Sequence, residues 1–193
     1  ECAITYGGQP VGRNIGPALE VVEALQVLEG NPPSSSTLEK GISLAGIVLE
    51  MGGVTNEGKR MASDLIKSGA ALDKFREIVK AQGAYIDDIS SGNIKIGRYS
   101  AEFLSTGTGY VSSIHNKNLV RIARAAGCPH DKYAGIVLEE KKGHQVDIGD
   151  VLFRVYSDNE QRLKLAMSLA KKLDPYHIEG MILETIPKEK VIL

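Results

Sequence analysis

A chain of 193 residues has room for one generous domain or two small ones, and 42% hydrophobic with 24% charged residues is an ordinary globular balance. A net charge of −1 supplies no field for nucleic acid or an anionic membrane surface. No apolar run approaches the ~20 residues that cross a bilayer, and Glu1-Cys2-Ala3-Ile4 has neither the basic nor the apolar stretch of a signal peptide. Cys2 and Cys128 are too few and too far apart for a disulfide framework. They read as small, partly buried thiols in a reducing cytoplasm. The chain opens on Glu rather than Met, and Ala3-Ile4-Thr5-Tyr6 reads as the end of a packed element. The expectation is a longer protein whose chemistry lies upstream.

The first ~85 residues have helical texture. Pro17 to Glu29 has Pro at its start, Gly30 just past its end, and Leu19, Val22 and Leu25 at helical spacing. Asn31 to Ser36, with two prolines and three serines, is a loop. Ser36-Thr37-Leu38-Glu39 has the spacing of a capping box. It opens a helix through Ile42, Ala45, Val48 and Leu49 that stops at Gly52-Gly53. Thr55 or Asn56 caps a third helix, Glu57 to Ser68. A fourth, Ala71 to Gln82, aligns Leu72, Phe75 and Val79 before Gly83.

Texture changes at Asp87-Asp88-Ile89-Ser90-Ser91-Gly92-Asn93, which is polar and turn-rich and marks a boundary between 1–86 and 87–193. Strand-like runs follow at Ile94 to Ile96, Tyr99 to Leu104 and Gly109 to Ile114. The intervening Thr106-Gly107-Thr108-Gly109 reads as a hairpin turn rather than an anion nest. Asn118 to Ala126 is a short helix with Leu119, Ile122 and Ala123 on its apolar face. Ile136 to Glu139 and Val151 to Tyr156 are the clearest strands. Asn159 to Leu173 is an amphipathic helix with Leu163, Ala166, Met167 and Ala170 inward, and Met181 to Glu184 is a last strand. The fold class is α+β, with a largely antiparallel sheet in the second half.

Motifs that carry chemistry are sparse. There is no Walker-type phosphate loop, no His-Glu-x-x-His and no Gly-x-Ser-x-Gly elbow. His115, His130, His144 and His177 are scattered without metal-ligand spacing and read as solvated or locally bonded. Lys141-Lys142-Gly143 reads as solvated charge on a hairpin. One segment differs: Gln9-Pro10-Val11-Gly12-Arg13-Asn14-Ile15-Gly16 leads into a helix carrying Glu20 and Glu23. Gly12 and Gly16 permit close backbone approach or unusual dihedrals. Glu20 and Glu23 lie three apart, so they neighbour each other on the helix surface and gain from its dipole. The pattern suits a helix start, and its carboxylates with loop carbonyls also suit a cation.

Tyr6-Gly7-Gly8-Gln9-Pro10-Val11-Gly12 together with Ile15-Gly16-Pro17-Ala18-Leu19-Glu20-Val21-Val22-Glu23-Ala24 resembles the thymidine and pyrimidine nucleoside phosphorylase family. The likeness continues through Ser68 to Phe75, Ala81-Gln82-Gly83, Ala134 to Leu138 and Gly143 to Asp150. Tyr-Gly-Gly-Gln-Pro-Val-Gly and Ile-Gly-Pro-Ala-Leu-Glu look like its archaeal AMP phosphorylase branch. The resemblance implies attack of inorganic phosphate on the anomeric carbon of AMP, with CMP and UMP as further substrates. The products are the free base and ribose 1,5-bisphosphate. It implies that the residues gripping phosphate and nucleoside monophosphate lie before Glu1, so no catalytic residue is assigned here. It also implies a helical segment completing an upstream α/β domain, then an α/β hammerhead of barrel-sandwich type. Self-association and a cytoplasmic location follow from it. No cofactor is required. The pyrimidine branch does hold a monovalent cation, potassium, and the matching positions here are the carbonyls of Val11 and Asn14 and the carboxylate of Glu23.

Two rival readings stand beside it: a thymidine or pyrimidine nucleoside phosphorylase, and a non-catalytic assembly or carrier module. The Gly135 to Tyr156 hairpin looks like half of a lipoyl or biotinyl carrier domain. Lys141-Lys142-Gly143, however, lacks the flanking residues of a modified lysine.

Overall fold

The computed structural model describes residues 2–84 and 89–182. The fold is α+β, as expected: helices dominate the first half, and the second builds two antiparallel sheets. The boundary at 86/87 lies outside the described residues.

α1 spans Pro17–Leu28. Gly16, at φ 124°, supplies a backbone turn that only glycine adopts readily, and its N–H donates to Glu20 Oε1 at 3.0 Å. α2 spans Ser35–Met51, but the capping box does not form. Ser36 sits inside the helix and its hydroxyl donates to the carbonyl of Val11, while Glu39 pairs with Lys59. A tertiary acceptor takes the hydroxyl before the helix terminus can.

α3 (Gly58–Lys67) and α4 (Ala70–Ala81) follow. The Thr55 hydroxyl accepts the Glu57 N–H at 3.0 Å, and the Gly58 N–H is capped from α2 by Glu50 Oε1 at 2.7 Å. α2 buries Ile42 and Gly46 rather than Ala45 and Val48, because α3 crosses it at glycines. A Cβ on Gly46 would lie 2.6 Å from the Lys59 nitrogen, and one on Gly58 would lie 2.0 Å from the Gly46 carbonyl oxygen. On α4, Leu72, Phe75 and Val79 share a half-buried face as expected.

In the second half the strands are β2 (Tyr99–Leu104), β3 (Gly109–Ile114), β4 (Gly135–Leu138), β5 (Gln145–Val146), β6 (Val151–Ser157) and β7 (Tyr176–Glu179). α5 (Asn116–Ala126) and α6 (Glu160–Leu173) pack on each other, and between them reach β2, β4 and β6. Asn159 caps α6, its side chain accepting from Arg162 N at 3.0 Å. With the two-residue strand Asn14–Ile15, contributed from before α1, as β1, one sheet runs β1-β4-β6-β2 and the other β5-β3-β7.

Three sequence readings are corrected. Ile94 to Ile96 is not a strand; it follows a single 3-10 turn, Ser91–Asn93. Thr106 to Gly109 is not a hairpin turn, because β2 and β3 belong to different sheets. Ser105 stays with the end of the β6 strand, donating its N–H to Asp150 O at 2.8 Å, before the chain crosses over. The last described strand is Tyr176–Glu179, while Met181 and Ile182 are exposed outside it. Leu183 and Glu184 lie outside the described residues. Tyr176 explains the shift. It is buried, stacks on Phe153 with centroids 5.8 Å apart, and donates its hydroxyl to Glu140 O at 2.8 Å.

The main core sits between α5, α6 and the sheets, around Leu119, Ile122, Ile136, Leu138, Phe153 and Val155. Each such side chain contributes roughly 1.5–3 kcal/mol by leaving water. The helical half is leaner, and α4 has no fully buried residue. The Ala3 to Tyr6 stretch is not packed: Ile4 is 99% exposed. Cys2 is exposed as well, whereas Cys128 is half-buried. Burial pushes the Cys128 thiol pKa up, helped by the carboxylates of Glu20 and Asp131. No helix among the described residues is long and apolar enough to cross a membrane.

Candidate functional site

The segment Gln9 to Asn14 is where the two halves meet. One side is governed by Glu23, which α1 carries on a face otherwise made of Leu19 and Val27. Glu23 is only 4% exposed. Its carboxylate is nonetheless fully engaged, accepting Arg13 N at 2.9 Å, Asn14 N at 2.8 Å and the Thr37 hydroxyl at 2.6 Å. Bonds from N–H to an ionised acceptor are about twice as strong as neutral ones, which offsets the cost of burial. Gly12 makes room: a Cβ there would lie 2.4 Å from Glu23 Oε1.

The opposite side is governed by Lys141, just past β4. Its ammonium donates to the carbonyls of Pro10, of Gly12 at 2.8 Å and of Val11 at 3.2 Å. The residue is 7% exposed. Burial draws its pKa below the usual lysine value, the Arg13 guanidinium adds to that, and the Glu23 carboxylate opposes it. Arg13 reaches the other way. Its Nε donates to Pro33 O at 3.0 Å, and Nη1 to Leu138 O at 3.0 Å and to Glu139 O. Gln9 Oε1 accepts Lys142 N at 3.0 Å. The Arg13 carbonyl accepts Leu138 N at 2.7 Å, and β1 continues that contact as a strand on β4.

Val11 and Asn14 on the loop and Glu23 on α1 are therefore brought together, and the chain itself supplies donors to the Val11 carbonyl and the Glu23 carboxylate. The Val11 carbonyl accepts from Ser36 Oγ and Lys141 Nζ. Glu23 faces amides and a hydroxyl, and Asn14 turns its side-chain amide to Leu19 O at 2.7 Å. A cation bound at the Val11 carbonyl and the Glu23 carboxylate would have to displace donors already in place. Among the described residues, no group of three or more His, Cys, Asp and Glu side chains could hold a metal ion.

Lys141 is what sequence reasoning missed. It reads locally as solvated charge, and only the pairing of β1 with β4 brings it to the loop. The same burial removes it as a modifiable hairpin lysine. His144 bonds Glu140 at 2.7 Å and His177 bonds Glu179 at 3.2 Å, the local pairings expected of them. A cleft of about 620 Å³ between β2, α6 and β7 includes Lys171 and His177 but none of the implied ligands.

Residues 110–177 match the family model of the pyrimidine nucleoside phosphorylase C-terminal domain. Over 191 residues the chain is 53% identical to the AMP phosphorylase of Methanocaldococcus jannaschii, covering 97% of this chain and 38% of that protein. It is 47% identical over 188 residues to that of Thermococcus kodakarensis, covering 96% and 37%. For that of Methanosarcina barkeri the figures are 44% over 189 residues, 97% and 37%. The chain thus spans under two fifths of the length of the curated relatives it matches. On these likenesses nearly the whole chain is similar to a part of the AMP phosphorylases, and residues 110–177 are similar to the pyrimidine nucleoside phosphorylase C-terminal domain.

Proposed function

We propose that this chain is the framework and C-terminal part of a cytoplasmic enzyme of nucleotide salvage. The whole enzyme joins inorganic phosphate to AMP, and to CMP and UMP, and yields the free base and ribose 1,5-bisphosphate. The observation that carries this reading is identity of 44–53% to AMP phosphorylases along nearly the whole chain. Phosphate and nucleotide are gripped by residues upstream, and no cofactor is required. Residues 1–86 complete the central domain and 87–193 form the C-terminal one. The loop clasp supports that division of labour: it fixes the C-terminal domain against α1, so the framework beneath an upstream active site stays rigid. Self-association uses apolar side chains that α2 leaves exposed, among them Val48 and Met51.

The test is phosphate-dependent release of adenine from AMP by the full-length polypeptide. Release from thymidine or uridine but not from AMP would move the assignment to the nucleoside branch, a reading favoured by the domain match over 110–177. The 193-residue chain by itself is expected to show no turnover. Measurable turnover would place catalytic groups on it.

A further inference from the structure

Three consecutive carbonyl oxygens, those of Pro10, Val11 and Gly12, converge on one atom, the Nζ of Lys141. Convergent backbone oxygens are the usual surroundings of a hard cation. A loop wound this way concentrates negative potential, and each inward carbonyl left without a donor is destabilising. An ammonium has three N–H donors and no acceptor, so these three carbonyls use all of them.

The other face of the same loop repeats the logic with opposite sign. There the N–H groups of Arg13 and Asn14 point at the buried Glu23 carboxylate. The peptide dipoles of Pro10 to Asn14 thus run between a fixed anion carried by α1 and a fixed cation carried by the end of β4. Neither charge is replaceable by water in place, since Glu23 is 4% and Lys141 7% exposed. Of the oxygens implied for a monovalent cation, the Val11 carbonyl is thereby occupied by a group of that same charge, and the Glu23 carboxylate by two backbone amides and a hydroxyl.

We propose that the Lys141 ammonium is the built-in cation of this loop. It is a positioning residue that holds the Pro10 to Gly12 carbonyls in an arrangement otherwise requiring a free monovalent ion. The full-length protein consequently needs no potassium to order the segment. This inference concerns the loop and does not rest on the reaction proposed above.

The experiment compares the full-length protein in potassium chloride and in tetramethylammonium chloride at equal ionic strength; tetramethylammonium is too bulky to enter the loop. Two readouts are independent of activity: the thermal midpoint, and hydrogen exchange of the Arg13 and Asn14 amides. Wild type is expected to give the same values in both salts. Lys141→Ala is expected to exchange those amides on the order of tenfold faster, the scale of one lost charge-assisted hydrogen bond. Methylammonium or potassium should restore protection to Lys141→Ala, while tetramethylammonium should not. Lys141→Met keeps the aliphatic stem without the charge and should remain unprotected in tetramethylammonium. A wild-type midpoint that rises with potassium would overturn the proposal. So would full protection in Lys141→Met, or a loss in Lys141→Ala that no small cation reverses. Phosphorolysis of AMP, measured in parallel, can fail without altering any of these outcomes.

Discussion

At the residue scale, Glu23 and Lys141 form an unusual pair: opposite charges that do not touch each other but share a loop between them. Glu23→Ala removes the acceptor of two backbone amides and of the Thr37 hydroxyl at once. The expected loss is about 3 kcal/mol of stability, read from the urea midpoint, because the abandoned donors stay buried. Glu23→Gln recovers only part of it, since one oxygen is replaced by an NH2 facing N–H groups. Glu23 was legible in the sequence as a chemistry-bearing position, on the strength of the Gln-Pro segment and the helix behind it. Its partners were not, because backbone amides carry no residue identity. Lys141 was not legible at all. Lysine is almost always a surface residue, and 129 positions separate it from the Gly12 carbonyl it holds.

At the element scale, helices were easier to read than strands. α1, α5 and α6 announce themselves by Pro or Asn at one end, Gly or a basic turn at the other, and a regular apolar face. β7 hides because Tyr-His-Ile-Glu is half polar and its neighbour β3 lies far away in sequence. The α2–α3 crossing is hidden for a different reason: its contact residues are glycines, which add nothing to an apolar stripe. Gly46→Ala and Gly58→Ala are each expected to destabilise by about 1–3 kcal/mol, because the added methyl meets backbone of the facing helix and not only a movable side chain. A methyl on Gly41, in the same helix as Gly46, would meet nothing within 4 Å. Gly41→Ala should instead stabilise by up to about 1 kcal/mol through helix propensity. The opposite signs within one helix make the urea series decisive.

At the scale of the whole molecule, apolar burial is uneven. The largest cluster lies between Val111 and Tyr176, while α2 leaves Leu44, Val48 and Met51 exposed and α4 fully buries nothing. In the 193-residue chain, amide exchange in α4 is expected to be on the order of a hundredfold faster than in β6, because helices with few buried contacts open without global unfolding. Equal protection by mass spectrometry would mean that the two halves unfold together. The α+β class was readable from texture; the assignment of strands to two separate sheets was not, since no local signal distinguishes a crossover from a hairpin.

The short strand β1 has one more consequence. It closes the edge of β4 from a position before α1, with Arg13 and Gln9 gripping the same stretch. Recombination between related proteins is commonly planned at the polar stretch between helical and sheet-bearing halves. Here a crossover between residues 84 and 89 would pair β4 of one parent with the edge strand and clasp of the other. A chimera keeping both grips from one parent needs its crossover before Gln9, so the inherited unit is longer than the C-terminal sheets by the whole helical half.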